Sequence, residues 1–211
     1  MSTRVLGCVL VGLLVFSAEA RAEKGTWETV SKSPLSIRQR TWPGTQTTEI
    51  EVRGTVRAKV EDVEAVLLDC DGAPRFMPYL KECWHVGTPR ADGTYDVYSR
   101  IAPPLVASRD YVLRMEVTRW TPTSGRFRQA WSTSTDHPVP ERKGIVRLAT
   151  NEGAWNGSAQ GEETLLVYRL AADSGGISPR LVRMTTKSSM NDLYRAVERE
   201  AQRRARLRAG G

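Results

Sequence analysis

Acid–base chemistry at neutral pH would fall first to the two histidines of this chain, His85 and His137. His137 stands in Asp136-His137-Pro138, the composition of a loop, and no carboxylate partner is evident for His85. Cys83-Trp84-His85 places Cys83 and His85 on one face of a strand as two metal-ligand types, with Cys70 available as a third. That spacing matches no common zinc pattern. Cys70 and Cys83 also suit a disulfide between a helix and the next strand in an oxidising compartment, or a pair of free thiols. All three cysteine readings stay open at this level. Ser158 and Ser174 lie in turns without the strand–turn–helix setting of a nucleophile elbow, and no phosphate loop or dinucleotide fingerprint is present. The six tryptophans fall on separate strands, as packing or rim residues rather than as an aromatic cage.

The pattern that remains is one of binding surfaces. Tyr95, Val97, Ser99 and Ile101 alternate with Asp96 and Arg100, and Tyr111, Leu113, Met115 and Val117 alternate with Asp110, Arg114, Glu116 and Thr118. Phe127, Gln129 and Trp131 oppose Arg126, Arg128 and Ala130, while Leu166, Tyr168 and Leu170 oppose Val167 and Arg169. Period-two alternation turns the first set of each pair inward and the second to water.

The elements that carry these rows follow in a recognisable order. Thr26 to Arg40 and Thr45 to Arg57 read as strands around a Pro43-Gly44 turn. Val60 to Leu68 changes to helical period, with Glu61, Asp62 and Glu64 in the first turn where the helix dipole favours them. Asp71-Gly72 ends it, and Ala73 to Lys81 forms a short helical or turn segment. Strands are predicted over 82–86, 94–101, 109–121, 126–135, 144–151 and 163–171, with turn signals between them that include Asn156-Gly157, as an antiparallel meander. Ser178-Pro179 then supplies a capping hydroxyl followed by proline at the first helical position. Leu181, Val182, Met190, Leu193, Tyr194, Val197 and Ala201 form one apolar stripe on a helix of ~45 Å. Only a large curved sheet offers a surface that long.

The ends and the charge bound the setting. Arg4, the apolar run from Val5 to Ala18 and Ala20-Arg21-Ala22 together read as a cleavable export leader over residues 1–22, leaving one domain over 23–211, soluble and outside the cytoplasm. A lipoprotein box at Val5-Leu6-Gly7-Cys8 is rejected, because its apolar core would have to precede Cys8 and here it follows. Loss of the leader lowers the net charge from +7 to +6, and +4 of that sits between Arg195 and Arg208. The body is close to neutral, which argues against nucleic acid as a partner. Arg203, Arg204, Arg206 and Arg208 complement the helix C-terminus or attract anionic lipid headgroups, at about 1 kcal/mol per cation near such a surface.

In this order the residues resemble the START family of lipid-binding domains, a helix-grip fold. The segments that carry the likeness are Phe76-Met77-Pro78-Tyr79, Ser108-Arg109-Asp110-Tyr111-Val112-Leu113-Arg114, Gly144-Ile145-Val146-Arg147 with Gly153-Ala154-Trp155, and 173–179 (DSGGISP) before the last helix. The resemblance covers nearly all of 25–205. It implies an α+β fold, with a strongly bent antiparallel sheet gripping the C-terminal helix and an apolar tunnel between them holding one lipid. The residues placed along that tunnel are Tyr95, Val97, Ser99, Tyr111, Leu113, Met115, Trp131, Tyr168, Met190, Leu193, Tyr194 and Val197. Where some family members carry an acidic–basic pair, this chain reads Ser99 and Met115, with Arg100 or Arg114 there instead if the register slips by one; in the first register tyrosine and serine hydroxyls are the polar handles. The implied function is carriage of an apolar molecule by a monomer without cofactor or metal. The rival is an enzyme of the same superfamily, related to polyketide cyclases or hydrolase-like members.

Overall fold

The computed structural model describes residues 25–210 apart from Leu105 and Ser174, so the leader expected over 1–22 lies outside the described residues. Strands β1 (Glu28–Ser31), β2 (Ser36–Thr41) and β3 (Thr47–Val56) precede helix α1 (Val60–Leu67) and a 3-10 turn at Ala73–Arg75. There follow β4 (Leu80–Val86), β5 (Tyr95–Ile101), β6 (Ser108–Thr118), β7 (Arg126–Thr133), β8 (Ile145–Arg147), β9 (Asn151–Gln160), β10 (Glu163–Asp173) and α2 (Pro179–Ala209). These strands form one sheet in the order β1-β2-β3-β10-β9-β7-β6-β5-β4, every neighbour antiparallel. The long terminal helix lies in the sheet's grip. None of the described helices is long and apolar enough to cross a membrane.

Local chemistry explains both helices. In α1, Val60, Val63 and Val66 fall on one buried side at helical spacing, and Glu61 and Asp62 occupy the first turn. The start of α2 is capped by Ser178, whose Oγ accepts a 3.3 Å hydrogen bond from the Leu181 N–H. Its second half meets α1 and β3 over a packed core that includes Ile37, Val52, Val63, Leu166, Val197 and Ala201. Its first half is mostly exposed or half-buried and lies over a void.

The sheet bends over three bare patches of its own inner surface. A Cβ at Gly54 would lie 2.2 Å from the Leu35 side chain, one at Gly153 2.6 Å from the Trp131 indole, and one at Gly157 2.1 Å from the Phe127 ring. Each glycine sits where a large side chain lies flat on the backbone. This overturns the turn expected at Asn156-Gly157: both residues lie within β9, hydrogen-bonded to β7 and β10, and the chain reverses at Gly161 instead. The expected strand over 144–151 also divides. Ile145–Arg147 pairs in parallel with β6, a departure from the meander, and the chain breaks step before β9 begins at Asn151.

That parallel strand follows a strap, residues 134–144, which crosses the outer side of β5 and β6 before β8 joins the edge of β6. The face expected to be wet is therefore covered at Asp96 and Asp110, while Glu116 and Thr118 further along β6 are exposed as expected. Asp96 and Asp110 have side chains 0% and 1% exposed. Asp96 accepts hydrogen bonds from both terminal guanidinium nitrogens of Arg90 and from Ser134 Oγ, and lies 2.7 Å from His137 Nδ1. Asp110 accepts from the Tyr98 hydroxyl and from Arg147. Burial pushes the Asp96 carboxyl up, but the hydrogen bonds from Arg90, His137 and Ser134 and the Arg90 charge outweigh it and hold it at about 2. His137, read from sequence as a loop residue, is in a loop, and its work is to fasten that loop.

Candidate ligand-binding cavity

Between the inner face of the sheet and the first half of α2 lies a cavity of about 730 Å³, within the ~300–1,000 Å³ typical of small-molecule sites. Strand alternation supplies its back wall: Tyr95, Val97, Ser99 and Ile101 from β5, and Tyr111, Leu113 and Met115 from β6. Trp131, Tyr168 and Trp155 make an aromatic floor, with the Trp155 and Tyr168 ring centroids 4.3 Å apart and those of Trp131 and Tyr168 5.9 Å apart. Two of the tryptophans, on strands separate in sequence, thus meet the same tyrosine. Leu181, Val182, Met190 and Leu193 of α2 close the top, and Pro103, Pro104 and Val106 stand at one end.

Ten of the twelve residues placed along a tunnel from the sequence lie in this wall, and two do not. Tyr194 points through the sheet side of α2 over Gly54, where its hydroxyl donates 3.0 Å hydrogen bonds to the carbonyls of Val52 and Leu166. Val197, one turn later, is fully buried in the packed core. The apolar stripe of α2 is continuous, but what lies under it changes from void to core near Leu193. The basic tail is also differently placed. Arg203 and Arg204 both pair with Glu200, Arg204 further with Asp69, and Arg208 with Asp62, while Arg206 is exposed. Hydrogen bonds from Arg203 outweigh burial and, with those from Arg204, hold the Glu200 carboxyl at about 2.

Cys70 and Cys83 form a disulfide with Cα atoms 5.3 Å apart. It joins the segment after α1 to β4 and stands in the cavity wall. Ser99 Oγ donates to Cys83 Sγ at 3.7 Å. No group of three metal-ligating side chains is found among the described residues. His85 lines the cavity with its ring 5.2 Å from that of Tyr95, and no carboxylate bonds to it among the described residues.

Sequence reasoning missed Arg109. It stands two residues before Tyr111, so the same alternation turns it inward, and it is buried at the end of the cavity. Its guanidinium donates to the carbonyls of Ala107 and Gly175, and burial pushes its pKa down. Asp173, also in the wall, accepts from the Gly175 N–H at 2.8 Å. Both formal charges therefore hold the chain that leads into α2.

A second depression, about 530 Å³, lies on the opposite face of β7, β9 and β10. Its floor is Ala130, Ser132 and Ala154, and its rim mixes Arg114, Arg128 and Arg169 with Glu49, Glu116 and Glu152. The inner cavity is the apolar one.

No family model matches the sequence, and no curated protein sequence matches it. Solved structures do. A STAR-related lipid transfer protein from Xanthomonas axonopodis superimposes with a TM-score of 0.69 at 20% identity, over 83% of this chain and 98% of that one. Human StAR-related lipid transfer protein 5 gives a TM-score of 0.71 at 18% identity, over 84% and 86%. The Zhui aromatase/cyclase from Streptomyces sp. R1128 gives 0.55 at 19% identity, over 78% and 99%. The likeness is one of fold, and the neighbours include both lipid transfer proteins and an aromatase/cyclase.

Proposed function

Starting from a START-like, helix-grip fold, we propose that this chain is a non-enzymatic carrier that binds one lipid or similar apolar molecule in its inner cavity and transfers it outside the cytoplasm. The observation that carries the reading is the cavity itself. A void of about 730 Å³ walled mainly by apolar and aromatic side chains loses packing contacts unless something apolar occupies it. The carriage reading is favoured over catalysis by what surrounds the lumen: His85 rests on Tyr95 without an acidic partner among the described residues, and Arg109 and Asp173 are engaged with loop backbone. Acid–base turnover needs a titratable pair within reach of the reacting atoms.

Residues 1–22 act as the export leader and 23–211 as the lipid-binding domain. A disulfide in the cavity wall supports an oxidising compartment. The chain works as a monomer and touches anionic membrane briefly through Arg206 and the outer faces of Arg203 and Arg208, whose side chains stay 54% and 57% exposed in their ion pairs.

Native mass spectrometry of the exported protein, followed by extraction and identification of the bound species, tests this directly. A stoichiometric apolar ligand on a chain beginning near Glu23 is the expected result. An empty chain that takes up no lipid from vesicles, or a full-length cytoplasmic product, would overturn the carrier or the export half respectively.

A further inference from the structure

Resting on the carrier reading, the polar groups of the cavity say which apolar molecule it accepts. Most of them are already engaged. Asn151 Oδ1 accepts from Trp131 Nε1 at 2.9 Å, Gln129 Nε2 donates to the Leu67 carbonyl at 3.3 Å, and Ser99 is turned onto Cys83. Arg109 and Asp173 hold the lead-in to α2. Two phenols differ. Neither the Tyr111 nor the Tyr168 hydroxyl has a hydrogen-bond partner among the described residues. Both side chains are enclosed by protein and yet keep accessible surface, which the internal void supplies. They come from separate strands of the cavity wall, β6 and β10, and a charge on Tyr111 would push the Tyr168 hydroxyl further up.

We propose that Tyr111 and Tyr168 determine specificity by donating hydrogen bonds to a single uncharged oxygen function, a hydroxyl or carbonyl, on an otherwise apolar ligand. A phenol left without a partner in an apolar enclosure carries a desolvation cost that a ligand oxygen removes, so the site discriminates against a bare hydrocarbon. Burial pushes the Tyr111 hydroxyl up to about 12 and that of Tyr168 further in the same direction, so both are neutral donors at any physiological pH. A lipid carboxylate would enter the same enclosure with its charge, and the cation in the wall, Arg109, already donates to two carbonyls. Beside the two phenols the carboxylate's desolvation would be met by neutral donors alone, with the guanidinium held at the end of the cavity.

Three probes of equal chain length separate these cases: dodecanol, dodecane and laurate, each titrated at neutral pH against a neutral solvatochromic dye bound to the delipidated protein. The parent should bind dodecanol tightest. Tyr111→Phe and Tyr168→Phe keep the rings and the packing, and circular dichroism checks that they fold. Each should lose about three- to tenfold in dodecanol affinity, the worth of one hydrogen bond, with dodecane unchanged. Laurate or dodecane matching dodecanol on the parent overturns the proposal while leaving carriage intact, as does retention of the dodecanol preference by both variants. If neither the dye nor any probe binds, carriage fails and the proposal falls with it.

Discussion

Tryptophan substituted at two adjacent positions of β6 distinguishes a void from a core. Leu113 and Val112 are both buried, 7% and 4% exposed, but alternation sends them to opposite faces. Leu113 looks into the cavity, with Val97 and Met115 beside it. Val112 lies under the strap, paired across the sheet with fully buried Tyr98. Overpacking a filled site costs about 1–3 kcal/mol, and a domain of this size loses roughly 2–4 °C of Tm per kcal/mol. Val112→Trp should therefore melt about 2–12 °C below the parent. Leu113→Trp has about 730 Å³ to expand into and should stay within roughly 3 °C. Its indole takes space from the ligand. Displacing two methylenes at ~0.8 kcal/mol each weakens binding by about tenfold or more. Differential scanning calorimetry and titration of a neutral apolar probe read the two effects. Equal destabilisation by both substitutions, or undiminished binding by Leu113→Trp, would refute the assignment of this strand face to a cavity.

Reducing the Cys70–Cys83 bond, or replacing both cysteines with alanine, should cost about 3 kcal/mol for a loop of this length, read as a lowered urea midpoint; an unchanged midpoint would count against it. The depressed Asp96 carboxyl contributes stability that is fully present above its unfolded pKa of roughly 4 and is lost as pH falls towards 2, on the order of 1 kcal/mol after allowing for solvent screening. Urea midpoints between pH 5 and pH 2 should therefore fall more steeply for the parent than for Asp96→Asn, and parallel curves would reject the role. Gly157→Ala should lose about 1–3 kcal/mol by calorimetry, because the new methyl meets the Phe127 ring.

The order of elements, the long helix with its Ser178 cap, and the inward rows of β5 and β6 were readable because each depends on local spacing alone. Arg109 obeys the same rule, two residues before Tyr111, but a charge at an inward position makes sense only with the Ala107 and Gly175 carbonyls that engage it. What lay beyond the sequence is what depends on distant covering. Asp96 and Asp110 read as solvated until Arg90, His137 and Arg147 close over them. Tyr194 and Val197 continue the helical stripe of Leu193, and a stripe records that a face is apolar without recording whether side chains or empty space lie beneath it. Asn156-Gly157 carries the commonest hairpin signal, and only the ring of Phe127 explains why a strand runs through it.

Trp131 and Gly153 are direct cross-strand partners, as are Phe127 and Gly157. At Gly153 an added Cβ would also meet the Arg169 carbonyl at 2.1 Å, but Phe127 and Gly157 divide one fixed volume, a ring on one strand filling what the other leaves bare. Neither member can be altered as an independent variable. A side chain added at Gly157 becomes tolerable when Phe127 shrinks, so a double-mutant cycle on Gly157→Ala with Phe127→Leu should give a combined loss smaller than the sum of the two single losses, a coupling in the usual range of 0.5–3 kcal/mol for touching residues. Over many generations the same constraint would leave its mark as exchange of bulk between the two positions, large opposite small in either direction, with the curvature of the sheet conserved while the residues that produce it trade places.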